Sequence, residues 1–221
     1  MIFILYSYTS ENNHQKLLED FLLKFSINFQ KKIISFRRWQ DAQLSLLGRI
    51  LLYKGAEKFN EKYNDSSIRY TDYNKPYFED EELYFNISHS GEMVVCVVTD
   101  VCDIGIDVEL LRDIQVEDFQ RQMTEGEWHK ISTSFNKIAS FYNYWTQKEA
   151  VIKSSGKGLS IPLKSFEISE NRTIVANEGL FLKEIKLDVK YKCHIATSIL
   201  VNEADIKIKE LDYSEYSINL I

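Results

Sequence analysis

The sequence predicts an α+β fold, and three observations carry that prediction. Segments with the two-residue alternation of strands and segments with the 3.6-residue spacing of helices occur in both halves of the chain. They do not follow one another as regular β-α-β units, which a doubly wound parallel sheet would require. No Pro-, Gly- or Ser-rich linker separates the halves, so two lobes, if formed, pack closely.

The elements follow in order. Residues 1–8 form an apolar, aromatic run that reads as a first strand. The run lacks the flanks of a signal peptide and the length to span a bilayer. Over 11–25, Leu17, Leu18, Phe21, Leu22 and Phe25 fall at helical spacing. A second helix is expected over 37–59, where Leu44, Leu47, Ile50, Leu51 and Lys54 continue a mostly apolar stripe. Strand-like sequence follows at 68–72, and Pro76 in YNKPYF marks a turn. Residues 84–87 and 93–99 read as a strand pair around the loop SHSGE, and 103–110 as a further strand. Helices are expected over 116–121, 124–131 and 136–154. The remainder is strand-rich, in FEIS, TIVA, LFLKEIKLDVKYKCHIATSIL and IKIKEL.

A chain of 221 residues can bury a good core, as one large domain or two small ones. Its net charge of −6 argues against nucleic acid as the main partner. Basic residues still cluster locally, at Lys31, Lys32, Arg37 and Arg38 and again at Lys153, Lys157 and Lys164. Such groups are either solvated surface or a place for a small polyanion. Cys96, Cys102 and Cys193 are odd in number and lack metal-ligand spacing, so they are expected as reduced thiols in a cytoplasmic protein.

In DIGIDVEL, Ile104, Ile106, Val108 and Leu110 point one way and Asp103, Gly105, Asp107 and Glu109 the other. Asp107 and Glu109 then lie about 7 Å apart along one strand face. Side-by-side carboxylates repel unless a cation or a shared proton intervenes, and oxygen-only donors favour Mg²⁺ or Mn²⁺. A solvated strand face is the competing reading. In the helix NKIASFYNYWTQKEAVIKSSG, Ile138, Phe141, Tyr142, Trp145 and Ile152 form one stripe, with Glu149 in its middle and Lys153 at its edge. A surface Glu–Lys pair explains that position of Glu149 poorly, because a carboxylate facing a core is costly unless neutralised. A third metal ligand explains it better. Ser88-His89-Ser90 lacks a G-x-S-x-G elbow and suits phosphate contacts better than nucleophilic catalysis, with a plain hairpin connection as the other reading. GKGLSIP, at 156–162, lacks the full P-loop pattern, and Gly156 is most simply a helix C-cap.

Taken together, FNISHSG, IGIDVE and WTQKEAVIKSSGKGLSIPL, in this order, resemble the 4′-phosphopantetheinyl transferases, in the longer, surfactin-synthetase-activating class. The resemblance is close over 68–168 and looser over 30–60. It implies two similar α+β lobes forming a monomeric pseudo-dimer, here expected as 1–102 and 103–221, with the second lobe carrying most of the metal site. It implies transfer of phosphopantetheine from coenzyme A to a serine of an apo acyl or peptidyl carrier protein, with release of adenosine 3′,5′-bisphosphate. Mg²⁺ (or Mn²⁺) is the implied cofactor, and neither nucleic acid nor membrane is an expected partner. By position the resemblance makes Asp107, Glu109 and Glu149 metal ligands and Lys153 a catalytic-site lysine. Glu127 aligns with another acid of that site. Ser88 and His89 match coenzyme A phosphate contacts, Lys75 matches a residue beside the nucleotide, and Lys32 and Ser45 match phosphate-binding positions. Leu44 stands where many members have arginine. Two other readings use the same residues: a metal-dependent phosphodiesterase or nucleotide hydrolase with water as nucleophile, and a non-catalytic carrier-protein-binding module.

Overall fold

A computed structural model of the chain describes residues 1–59, 61, 67–79 and 83–216. In chain order its elements are β1 (Ile2–Tyr8), α1 (Glu11–Phe21), α2 (Ile27–Ser35), α3 (Trp39–Ala56), β2 (Ile68–Tyr70), β3 (Pro76–Phe78), β4 (Tyr84–Ser90) and β5 (Met93–Thr99). There follow β6 (Ile104–Leu110), α4 (Glu125–Ser132), α5 (Lys137–Ser155), β7 (Arg172–Val175), β8 (Glu178–Glu184), β9 (Tyr191–Thr197) and β10 (Ile206–Glu210). The α+β expectation holds, and the helices and strands divide between two compact units.

The first unit comprises Met1–Thr71, Pro76–Val101 and the chain from Asn202. Its sheet runs β10-β1-β5-β4, with β1 antiparallel to β5 and parallel to β10. Helix α3 lies on β1, β4 and β5, and its Leu47, Ile50, Leu51 and Leu52 are fully enclosed with Leu5, Val94, Cys96 and Val98. The second unit comprises Asp72–Lys75 and Cys102–Val201. Its sheet is wholly antiparallel, in the order β6-β9-β8-β7, and α5 packs on β6 and β9. Each unit is thus a four-stranded sheet with one long helix against it.

Several boundaries differ from the sequence reading. The expected helix over 11–25 closes at Phe21 and tightens into a 3₁₀ turn, Leu22–Lys24. The expected helix over 116–121 is a 3₁₀ segment, Val116–Gln122. Helix α2 was not expected. It starts at an N-cap Ser26 whose hydroxyl accepts from the Phe29 amide, and it buries only Phe29 and Ile33. In the turn expected around Pro76, Asn74 takes a left-handed φ of 63° and Pro76 opens β3. Ser88-His89-Ser90 is not a loop: these residues complete β4, and the reversal is a two-residue turn at Gly91-Glu92. Gly91 sits there at φ 58°, which a tight hairpin turn requires of its first residue. The segment from Asn202, expected with the second lobe, adds β10 to the first unit's sheet, and Asp72–Lys75 joins the second unit.

Candidate active site

Strand β6 carries the first two acids. Its outer alternation is legible in the fold, but both faces are covered: Ile104, Ile106 and Val108 are fully buried on one, and Gly105 and Asp107 are buried on the other. What covers the second face is α5. A Cβ on Gly105 would fall inside the contact distance of the Ala150 carbonyl oxygen and the Ser154 amide nitrogen, and 3.0 Å from the Lys153 carbonyl carbon. Only glycine lets the helix come this close to the strand.

The close approach brings α5's polar side chains to the acids of β6. Lys153 Nζ donates to Asp107 Oδ1 at 2.6 Å, and Asp107 is only 4% exposed. Glu149, one turn earlier, is half-buried. Burial raises its pKa, the charges of Asp107 and Glu109 raise it further, and Lys153 opposes them. Asp107, Glu109, Glu149 and Lys153 therefore form one electrostatic group within the second unit. As placed, no three His, Cys, Asp or Glu side chains among the described residues are gathered closely enough to hold a metal ion. Lys153 provides the local counter-charge to Asp107. The donor set itself fits a hard divalent cation, being entirely carboxylate oxygen with excess negative charge.

Glu127, aligned by the resemblance with another acid of the site, meets a different lysine of α5. Glu127 and Lys148 are both 0% exposed and their charges meet at 2.9 Å. Thr124 and Glu127 form a reciprocal capping box at the start of α4. Glu127 Oε1 accepts the Ile168 amide at 2.8 Å, while Lys148 Nζ also donates to the carbonyls of Leu163 and Phe166. Burial lowers the Lys148 pKa and the Glu127 carboxylate works against that shift. Lys148 and Glu149 are consecutive on α5 and so point about 100° apart. Glu127 belongs to the Lys148 side, a strut that joins α4, α5 and the 163–168 segment. The sequence signal for it is Thr124-x-x-Glu127, the capping-box pattern.

The residues expected around coenzyme A divide between the units. Lys75 belongs to the second, where its ammonium donates to the Ser154 carbonyl at 2.9 Å and to Asp103 at 3.2 Å. It satisfies the C-terminal end of α5, which closes at Gly156 in the left-handed conformation, the C-cap expected from sequence. Lys32 is exposed on α2 and Ser45 half-buried on α3. Ser88 and His89 leave β4 on opposite faces, Ser88 buried and His89 exposed. Leu44 is 5% exposed within the first unit's core, so this position packs inward, where an arginine would have to reach out.

Sequence reasoning missed two residues on the α5–β9 contact. His194 stands directly opposite Asp107 across the β6–β9 ladder and is buried. Its Nδ1 lies 2.7 Å from the Thr146 hydroxyl of α5.

Residues 103–208 match the 4′-phosphopantetheinyl transferase superfamily, and residues 18–100 match the 4′-phosphopantetheinyl transferase N-terminal family. The chain is 32% identical over 195 residues to the 4′-phosphopantetheinyl transferase gsp of Aneurinibacillus migulanus, covering 84% of this chain and 81% of that protein. This chain belongs to the 4′-phosphopantetheinyl transferase superfamily. It is also 34% identical over 155 residues to the 4′-phosphopantetheinyl transferase Sfp of Bacillus subtilis, covering 68% of each. Similarity extends to the L-aminoadipate-semialdehyde dehydrogenase-phosphopantetheinyl transferase of Xenopus laevis, 29% identical over 72% of this chain and 58% of that one. Among the described residues no helix is long and apolar enough to cross a membrane.

Proposed function

We propose that this phosphopantetheinyl transferase moves the 4′-phosphopantetheine group of coenzyme A onto a serine of an apo acyl or peptidyl carrier protein and releases adenosine 3′,5′-bisphosphate. The observation that carries the reading is the facing of Asp107 and Glu109 on β6 by Glu149 and Lys153 on α5, in a member of this superfamily. Asp107, Glu109 and Glu149 are the proposed holders of Mg²⁺, or of Mn²⁺ in its place. When bound, the ion supplies charge neutralisation at the pyrophosphate oxygens and the departing bisphosphate.

Glu149 is the proposed acceptor of the serine proton. Burial and the neighbouring carboxylates raise its affinity for that proton, which suits general-base work. As the serine oxygen bonds the phosphorus next to pantetheine, the bond from that phosphorus to the bisphosphate breaks, and its electron pair leaves with the bisphosphate. Lys153 places a positive charge where negative charge grows. Lys32, Ser45, Lys75, Ser88 and His89 are the proposed contacts to coenzyme A. Lys75 would use its backbone or exchange its present bonds, since its ammonium serves the end of α5.

All three acids and Lys153 lie in one unit of one chain, which supports a monomeric enzyme. The three buried free cysteines support a reducing, cytoplasmic setting. The test is release of adenosine 3′,5′-bisphosphate from coenzyme A, followed with and without an apo carrier. Release only with carrier is expected, whereas carrier-independent release would make the protein a hydrolase.

A further inference from the structure

Three contacts pin α5 against the sheet of the second unit. At the C-terminal end Lys153 bonds Asp107, and Gly105 receives the backbone of Ala150 and Ser154. At the midpoint of the helix, one turn before Ala150, Thr146 meets His194 of β9. Glu149 lies between the first and last of these contacts, one turn beyond Thr146.

The chemistry of the third contact is specific. The Thr146 hydroxyl donates its only proton to the Tyr142 carbonyl at 2.7 Å. Its oxygen can therefore only accept from His194, so the imidazole carries its proton on Nδ1. The ring is 2% exposed. Burial holds its pKa down to about 4, consistent with a neutral ring. A polar ring is costly in such a place unless its bond does something that an aliphatic side chain would not. Directly across the ladder is Asp107, and Glu184 of β8 pairs with His194 on the other side.

We propose that His194 and Thr146 are a positioning pair, which fixes the rotation and height of α5 so that Glu149 faces Asp107 and Glu109. The inference rests on the proposed function, because it concerns the placement of the acid that would act there. Neither residue is assigned contact with coenzyme A, the carrier or the ion. Partners behind a site of this kind commonly change activity or metal affinity by about 10–100-fold when removed.

The test compares shape-matched variants of the full-length protein. Thr146→Val removes the hydroxyl and keeps the volume, while Thr146→Ser keeps the hydroxyl. His194→Asn offers an amide N–H where Nδ1 stood, and His194→Gln offers one where Nε2 stood. Two quantities are read: kcat and KM for coenzyme A in carrier modification, and Mn²⁺ affinity by titration calorimetry without substrates. For Thr146→Val and His194→Gln the expected result is a kcat lower by at least about tenfold, with KM for coenzyme A within about twofold, and weaker Mn²⁺ binding. Thr146→Ser and His194→Asn should recover most of both. If the wild-type protein modifies no carrier, the proposed function fails, and Mn²⁺ affinity still reads the positioning pair. If Thr146→Val lowers the melting temperature and leaves kcat and Mn²⁺ affinity unchanged, the contact is packing only. Equal behaviour of the Asn and Gln variants would likewise overturn the pair.

Discussion

Gly105→Ala puts the smallest possible side chain where β6 and α5 meet. Its Cβ would be 3.0 Å from the Lys153 carbonyl carbon and closer still to the Ala150 oxygen and the Ser154 nitrogen. Ordinary contact between carbon atoms begins near about 3.5 Å, so the helix must retreat by about 1 Å or the strand must bend. These obstacles are helix backbone, which cannot rotate aside as a side-chain end would. Overpacking of this kind costs about 1–3 kcal/mol. In a chain of this size that lowers the melting temperature by several degrees and leaves the fold populated. The larger effect falls on chemistry, because Glu149 and Lys153 ride on the displaced turns. A misplacement of about 1 Å costs about 100-fold in rate. The assay is a single-turnover rate of carrier modification at saturating coenzyme A and Mg²⁺, beside a melting curve. A rate within about threefold of wild type, with the melting temperature unmoved, would refute the close approach as the device that assembles the site.

Other expectations follow from the same geometry. Glu149→Gln keeps the shape but removes the charge and the proton acceptor, so transfer should fall by at least about 100-fold. Its melting temperature in EDTA should stay level or rise, and a near-wild-type rate would remove Glu149 from the chemistry. Lys148→Met leaves Glu127 buried and uncompensated and should cost about 3–5 kcal/mol in urea unfolding, much of it regained in the double variant with Glu127→Gln. No loss in the single variant would contradict the strut. His194 is held near 4 in the fold against about 6.5 in an unfolded chain, so the unfolded chain binds the extra proton between those values. Stability from this group is full above about pH 6.5 and falls by about 3 kcal/mol as pH drops through 4. Urea unfolding at pH 7, 6 and 5 should show that slope in wild type and lose it in His194→Asn; parallel slopes would contradict it.

The parts of this fold that were legible in the sequence are those with one dominant period. The alternation of β6 put Asp107 and Glu109 on a common face, and Gly156 marked the end of α5. Helix α2 escaped because Ile27 and Ile34 are exposed, so its apolar residues do not sort into a single buried stripe. Helix α5 buries Thr146, Gln147, Lys148, Ala150, Val151 and Ser154 in addition to aromatic residues, so its apolar stripe marked only one of several covered sides. That is why Lys148 gave no sign of full burial. His194 has no local signature, since only the β6–β9 register brings it opposite Asp107. The strand period of IKIKEL was readable, but its parallel pairing with β1 is set by long-range topology.

Asp107, Glu109, Glu149 and Lys153 are the proposed drivers of phosphopantetheine transfer to a carrier serine. The most direct test of that role is the intact mass of an apo carrier protein after incubation with the enzyme, coenzyme A and Mg²⁺. One phosphopantetheine should be added to the wild-type carrier. None should be added when the acceptor serine is replaced by alanine or when EDTA replaces Mg²⁺, and in the time the wild type needs for completion Glu149→Gln should add on the order of a hundredth as much. An unchanged carrier mass across acyl and peptidyl carriers, or full modification by Glu149→Gln in EDTA, would contradict the account.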